Sequence, residues 1–120
     1  MTNYVERVIR KLAKRYGLPV SGWMGEKRLP GIYTTPIEEK KIRALKILEE
    51  LKPGLWLWVF HPGIDSPEQN ALVHTRMEDF PSAGGVGSHR AEETSVLTSP
   101  EVKDAILKRK IKLSNYMDLR

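Results

Sequence analysis

The stretch Leu55-Trp56-Leu57-Trp58-Val59-Phe60-His61-Pro62-Gly63-Ile64-Asp65 decides how the chain is read. Six large apolar residues in succession, bounded by Pro53-Gly54 and Pro62-Gly63, predict a strand buried on both faces, as in parallel α/β sheets. His61 then falls at the C-terminal end of that strand. α/β folds gather their chemistry there, because the packed strand fixes the position of the loops that follow it.

On the N-terminal side the pattern is helix and then strand. Thr35 is placed to cap a helix with Pro36 at its first position and Glu38 completing a capping box, and Ile37, Ala44, Leu45, Leu48 and Leu51 form its buried stripe. An earlier helix is set by Val5, Val8, Ile9, Leu12, Ala13 and Tyr16, one apolar stripe directed at a core, with Arg7, Arg10, Lys11, Lys14 and Arg15 mostly toward water. Asn3 and Glu6 suggest its capping box, and Gly17 with Pro19 its stop. Leu18-Pro19-Val20 suggest a short strand, and the glycines and prolines from Gly22 to Gly31 an irregular loop.

On the C-terminal side, residues 62–87 are rich in Pro and Gly and predict a long loop, a length that in a compact domain points to function. Helix resumes from Ser88 through Leu97. Ser99-Pro100 opens another short helix with Val102, Ala105 and Ile106 inward, and Ile111, Leu113 and Tyr116 alternate as a terminal strand would.

Composition narrows the classes. A chain of 120 residues with 40% hydrophobic content makes one small domain, residues 1–120, and the absence of cysteine rules out disulfides and thiolate metal sites. No apolar run spans a bilayer, and Met-Thr-Asn-Tyr-Val-Glu is unlike a secretory leader, so the expectation is a soluble, cytoplasmic chain with no membrane partner. The net charge of +5 is unevenly spread: residues 1–54 carry 12 Lys/Arg against 6 Asp/Glu, residues 55–100 carry 2 against 6, and residues 101–120 carry 6 against 3. All three histidines lie in the acidic middle, an arrangement shared by a cation-dependent site and by ordinary solvated helix faces flanking a polar loop. Without a helix-turn-helix or an aromatic RNA-binding signature, the charge does not argue for nucleic acid.

His61 is the leading candidate for chemistry. An imidazole titrates near neutral pH and serves as general acid, general base or ligand, the alternative being a satisfied structural histidine. His74 and His89 sit in or beside polar loops and are weaker. Asp65 and Glu68 follow His61, and Glu78 and Asp79 follow His74, but no His-x-His or His-x-x-x-His spacing fixes two ligands on one element. Arg90 and Glu93 are spaced for an intrahelical pair, or for Arg90 to face a site. Gly84-Gly85-Val86-Gly87-Ser88-His89-Arg90 matches no phosphate-binding fingerprint, and flexibility is the expected use of its glycines.

His61-Pro62-Gly63, then Arg90-x-x-Glu93-x-x-x-Leu97, then Thr98-Ser99-Pro100-Glu101-Val102 and Ile111-x-Leu113-x-Asn115-Tyr116, form a succession that resembles the C-terminal portion of the YdjC-like (ChbG/HpnK) carbohydrate deacetylases. The resemblance implies an α/β fold, part of an irregular, TIM-like (β/α) barrel, and a metal-dependent hydrolase that removes the acetyl group of an N-acetylated sugar. It implies that His61 assists proton transfer or stabilises the tetrahedral intermediate, and that Arg90 lines the site or anchors a helix; Asp65, close behind His61, is a further substrate-binding or site-lining candidate. The family's metal ligands, an Asp of an Asp-Asp motif and two histidines, belong to its N-terminal half and have no counterpart in this sequence. A divalent metal, Zn or Mg, is therefore expected in the complete enzyme and not in this chain alone. A whole barrel takes about 250 residues. The expected partners are accordingly a complementing N-terminal half or further copies of the chain, either of which makes the chain a half-barrel or an assembly module.

Overall fold

The computed structural model describes residues 3–73 and 84–119. Its first helix, α1 (Tyr4–Tyr16), begins where the Asn3 side chain accepts from the Val5 N–H at 3.2 Å and ends at Gly17, whose left-handed φ of 60° suits a glycine cap. Glu6 does not close the expected capping box. It pairs with Arg10 one turn on, at 2.7 Å. The apolar stripe of α1 is also not in a core, since Val5, Val8, Ile9, Leu12 and Tyr16 are all exposed. What α1 packs against is the following loop, through Arg10, Ala13 and Lys14 on one flank of the helix and Leu18, Val20, Trp23 and Met24 opposite them.

The first strand is β1 (Lys27–Arg28), and it replaces the strand expected at Leu18-Pro19-Val20. Glu26 explains the shift. Its carboxylate accepts from the N–H groups of Gly22 (2.5 Å) and Met24 (3.0 Å), folding that segment into a turn that delivers Lys27 and Arg28 beside the second strand. Those bonds hold the Glu26 carboxyl below the usual carboxylate range. The chain then reaches α2 (Lys40–Glu49) through a 3₁₀ turn at Ile37–Glu39, with Pro36 at the cap position and no side-chain cap, so Thr35 does not serve as expected.

The apolar run enters the ladder only as β2 (Trp56–Leu57), paired parallel to β1 with Lys27 opposite Trp56 and Arg28 opposite Leu57. Helix α2 lies between the two parallel strands in the chain. The run is half-buried and not buried on both faces: Leu55, Trp56, Leu57, Trp58 and Phe60 are partly exposed and Val59 is exposed.

Beyond the turn at Pro62, Ser66 accepts from the Gln69 N–H and starts a single helical turn, α3 (Pro67–Asn70), inside what was expected to be loop. Helix α4 (Val86–Thr98) begins two residues earlier than expected. Ser99 then ends α4 and caps α5 (Pro100–Lys108), donating to the Val96 carbonyl at 2.9 Å and accepting from the Val102 N–H at 3.4 Å. Ile32, Ala44, Leu48, Val96 and Val102 make the buried core between α2, α4 and α5, and Trp58, Phe60, Ala105, Ile106 and Ile111 pack around it.

The terminal strand expected at Ile111–Tyr116 is absent: the chain reverses at Lys110 (φ 54°), runs irregularly, and ends in a 3₁₀ turn at Tyr116–Leu119. The Tyr116 hydroxyl donates to Glu26 at 3.0 Å, tying this segment to the turn before β1. Between it, β2, α2 and α5 lies an open cleft of about 820 Å³ with mostly apolar walls, among them Leu48, Leu57, Phe60, Val102, Ile106 and Leu113.

The chain therefore leaves more surface in water than a closed domain of its mass. Its accessible area is 9036 Å², against about 6,600 Å² for a folded monomer of this size. Its radius of gyration is 17.1 Å, against about 13.6 Å for a compact chain of this length. Among the described residues no helix is long and apolar enough to cross a membrane.

Close approach of α3 to α4 depends on Gly87, where a Cβ would lie 2.1 Å from Asn70 Oδ1 and 3.1 Å from the Asn70 backbone nitrogen. Gly87→Ala should lower the denaturant midpoint by the equivalent of about 1–3 kcal/mol, as an overpacked contact does. Adding Asn70→Ala should recover part of that loss. No loss on Gly87→Ala would show that α3 does not sit on α4. Trp56→Ala, at a half-buried position, should cost less than the ~3–5 kcal/mol of a fully buried tryptophan.

Candidate active site at the end of β2

The His61-Pro62-Gly63 turn is fastened to one face of α4. The His61 N–H donates to the Glu93 carboxylate through Oε2. Two residues on, the Gly63 N–H donates to the Arg90 carbonyl (3.2 Å) and to Thr94 Oγ1 (3.0 Å), while the Thr94 hydroxyl donates back to the Gly63 carbonyl at 2.6 Å. Contact this close needs a residue without a side chain, since a Cβ on Gly63 would meet the Arg90 Cβ at 3.0 Å. The imidazole of His61 is left 46% exposed. Its ring lies 4.4 Å from that of Tyr33, and its Nδ1 is 4.0 Å from Glu93 Oε2.

Three ionisable side chains are wholly buried beneath it: Lys40 from α2, and His89 and Glu93 from α4. Lys40 Nζ donates to the carbonyls of Ile32 (2.8 Å) and Tyr33 (2.5 Å), tying the loop that carries Tyr33 to α2. His89 Nδ1 is 3.1 Å from the same Tyr33 carbonyl, and because a carbonyl only accepts, Nδ1 carries the proton. Burial pushes the Lys40 ammonium toward deprotonation, and the Glu93 and Glu92 carboxylates oppose it. Burial also pushes the His89 pKa below 6.5, the Lys40 charge adds to that, and the bond to Tyr33 and the Glu38 carboxylate work against it. Glu93 thus lies buried between Lys40 and the exposed imidazole of His61, with its second oxygen making no hydrogen bond to the described residues.

The other expected residues are placed differently. Arg90 is half-buried and donates to Gln69 Oε1 at 3.3 Å, bracing α3 against α4; the intrahelical pair with Glu93 gives way to the bond between Glu93 and His61. Asp65 is exposed and accepts from Asn70 at 2.6 Å, so its contact organises the loop before α3. His89, expected beside a polar loop, is a core residue. His74, Glu78 and Asp79 lie outside the described residues. Tyr33 and Lys40 were not among the expected site residues, although Lys40 stands at i, i+4, i+8 with Ala44 and Leu48, and Val86, His89, Glu93 and Val96 share one face at spacings of three and four. A polar residue in register with an apolar stripe is the signal that could have found them.

The metal that the resemblance implies is not fitted by these groups. Among the described residues no three His, Cys, Asp or Glu side chains gather as a metal site would require. What the arrangement offers is proton chemistry: an accessible imidazole with its backbone fixed, over a buried carboxylate.

Residues 1–108 match the family model of YdjC-like proteins. The chain belongs to the YdjC-like family. Membership carries a hydrolase function of the carbohydrate-deacetylase kind at the level of the family, and His61-Pro62-Gly63, Arg90 and Glu93 all fall inside the matched span. No curated protein and no solved structure matches the chain.

His61→Ala should change stability by no more than about 0.5 kcal/mol, since the ring is half in water. Lys40→Ala should cost about 3 kcal/mol or more, because it leaves the Ile32 and Tyr33 carbonyls without their buried donor and removes the charge that faces the α4 carboxylates. Equal losses in the two variants would make His61 structural. His89 also predicts a pH dependence. Its folded pKa is lowered, so the unfolded chain binds the extra proton first, and stability present above pH 6.5 should be lost as pH falls below it, at up to about 1.4 kcal/mol per unit. His89→Asn should flatten that slope in denaturant titrations.

Proposed function

We propose that this YdjC-like chain supplies the C-terminal, His61-bearing part of a carbohydrate N-deacetylase of the ChbG/HpnK type, a partial (β/α) barrel hydrolysing the acetamide of an N-acetylated sugar in the cytoplasm. The observation that carries the reading is His61 itself: an accessible imidazole where the apolar run ends, past β2, on a turn bound to buried Glu93, within a YdjC-like match. Amide hydrolysis needs a proton delivered to the departing nitrogen. The His61 ring is open to solvent, with Nδ1 4.0 Å from Glu93 Oε2, and is the group placed to carry that proton. Arg90 positions the turn through its carbonyl, and Asp65 is a site-lining residue of the complete enzyme. Any divalent ion, Zn or Mg, would take its ligands from outside the described residues.

A second reading has its own support. The chain exposes roughly 2,400 Å² more than a closed domain of its mass, about the area that one side of an obligate interface buries. This favours an assembly module whose open cleft is covered by a complementing N-terminal half or by another copy.

The two readings are tested together. The isolated chain, given divalent metal and N-acetylated chitooligosaccharide, should release acetate only when an N-terminal half from another family member is added. In that complex His61→Ala should lower kcat by roughly 10²–10⁴ without changing metal content. Acetate release by the chain alone would contradict its incompleteness, and an unchanged kcat would remove His61 from the chemistry. Light scattering that finds a closed monomer at high concentration, with no binding of the added half, would contradict the assembly reading.

A further inference from the structure

Helix α1 is built unlike the rest of the chain. Among the described residues its apolar stripe of Val5, Val8, Ile9, Leu12 and Tyr16 meets no other element, and none of its residues lines the apolar cleft. Lys11 and Arg15 are exposed along one border of that stripe and Arg7 and Lys14 on the opposite face, and together with Arg10 they outweigh Glu6, the one acidic residue of the helix. Strong segregation of apolar and basic residues on a helix of low overall hydrophobicity describes an element that lies in an anionic interface.

Two observations choose among occupants. A second copy of α1 laid antiparallel and stripe to stripe would bring the Lys11 and Arg15 flanks of both helices together, so like charge opposes that pairing. A protein groove clasps a helix from both sides, but the Arg10-Ala13-Lys14 flank of α1 is already taken by Leu18, Val20, Trp23 and Met24, with the Arg10 guanidinium 4.0 Å from the Trp23 ring. One face remains open, apolar and bordered by positive charge. A flat surface that is apolar below and anionic above is complementary to it. We propose that α1 is a peripheral docking face for an anionic phospholipid surface, with the stripe inserted among the acyl chains near the headgroups and Lys11 and Arg15 against the headgroup phosphates and carboxylates.

The test uses the full chain and sedimentation with vesicles of phosphatidylcholine containing phosphatidylserine, against vesicles of phosphatidylcholine alone. The expected result is binding to the anionic vesicles that falls about tenfold or more in high salt, in Leu12→Asp, and in Lys11→Glu/Arg15→Glu. Because α1 contributes no buried residue, these variants should keep the wild-type circular dichroism and thermal midpoint, so loss of binding would not reflect unfolding. No sedimentation with anionic vesicles, or equal sedimentation with neutral ones, would overturn the proposal. So would self-association in light scattering that Leu12→Asp abolishes while vesicle binding is absent, which would give the face to a second copy.

Discussion

Glu93 is the constraint on which the described structure turns. A carboxylate with no exposure to water must find donors inside the protein, and it finds the backbone N–H of His61 at the point where the apolar run ends. That bond, with the Thr94 and Gly63 exchange one residue further along α4, fixes the His61-Pro62-Gly63 turn on the helix beyond the end of the apolar run. Lys40 completes the arrangement from α2. Its ammonium satisfies two carbonyls of the loop carrying Tyr33, and its charge lies among carboxylates of α4, so α2, α4 and the loop below His61 are held by polar contacts as much as by the small core of Ile32, Ala44, Leu48, Val96 and Val102.

A polar framework of this kind suits proton transfer better than it suits stability. Burying an ammonium, an imidazole and a carboxylate together costs desolvation that hydrophobic side chains of similar size would avoid. Glu93 fixes the backbone of His61 while its ring stays accessible, and Lys40 and His89 hold the loop whose Tyr33 ring lies against that imidazole. The excess surface has a separate origin. With a single partner strand on β2 and an open cleft behind it, the apolar run cannot be enclosed by the described residues alone, and Trp56, Leu57 and Phe60 stay half-buried as a result.

The sequence made some of this legible and hid the rest for physical reasons. Helix α1 followed from the spacing of Val5, Val8, Ile9 and Leu12 and from its Asn3 and Gly17 ends, because helix geometry is local. What its stripe would meet is not local, and the core expected for it is missing. Ser99-Pro100 marked the α4–α5 junction well, since one serine serves both helices. Placing the first strand at Leu18 failed because the deciding interaction, the Glu26 carboxylate on the Gly22 and Met24 N–H groups, is a side-chain capture that no periodicity records. His61 and its turn stood out through the apolar run before them. Lys40 and His89 did not, because a lysine and a histidine in polar surroundings of sequence read as surface residues until their register with Ala44, Leu48, Val86 and Val96 is noticed.

Native-state hydrogen exchange of the His61 and Gly63 amides tests the central claim most directly. If Glu93 and Thr94 hold the turn onto α4, both amides should exchange only through the opening that exposes the buried middle of α4, with protection matching that of the α4 amides around Glu93, and Glu93→Gln should lower the protection of His61 far more than that of α5. Exchange of both amides at the rate of an unprotected loop, in a chain whose α4 remains protected, would contradict the account.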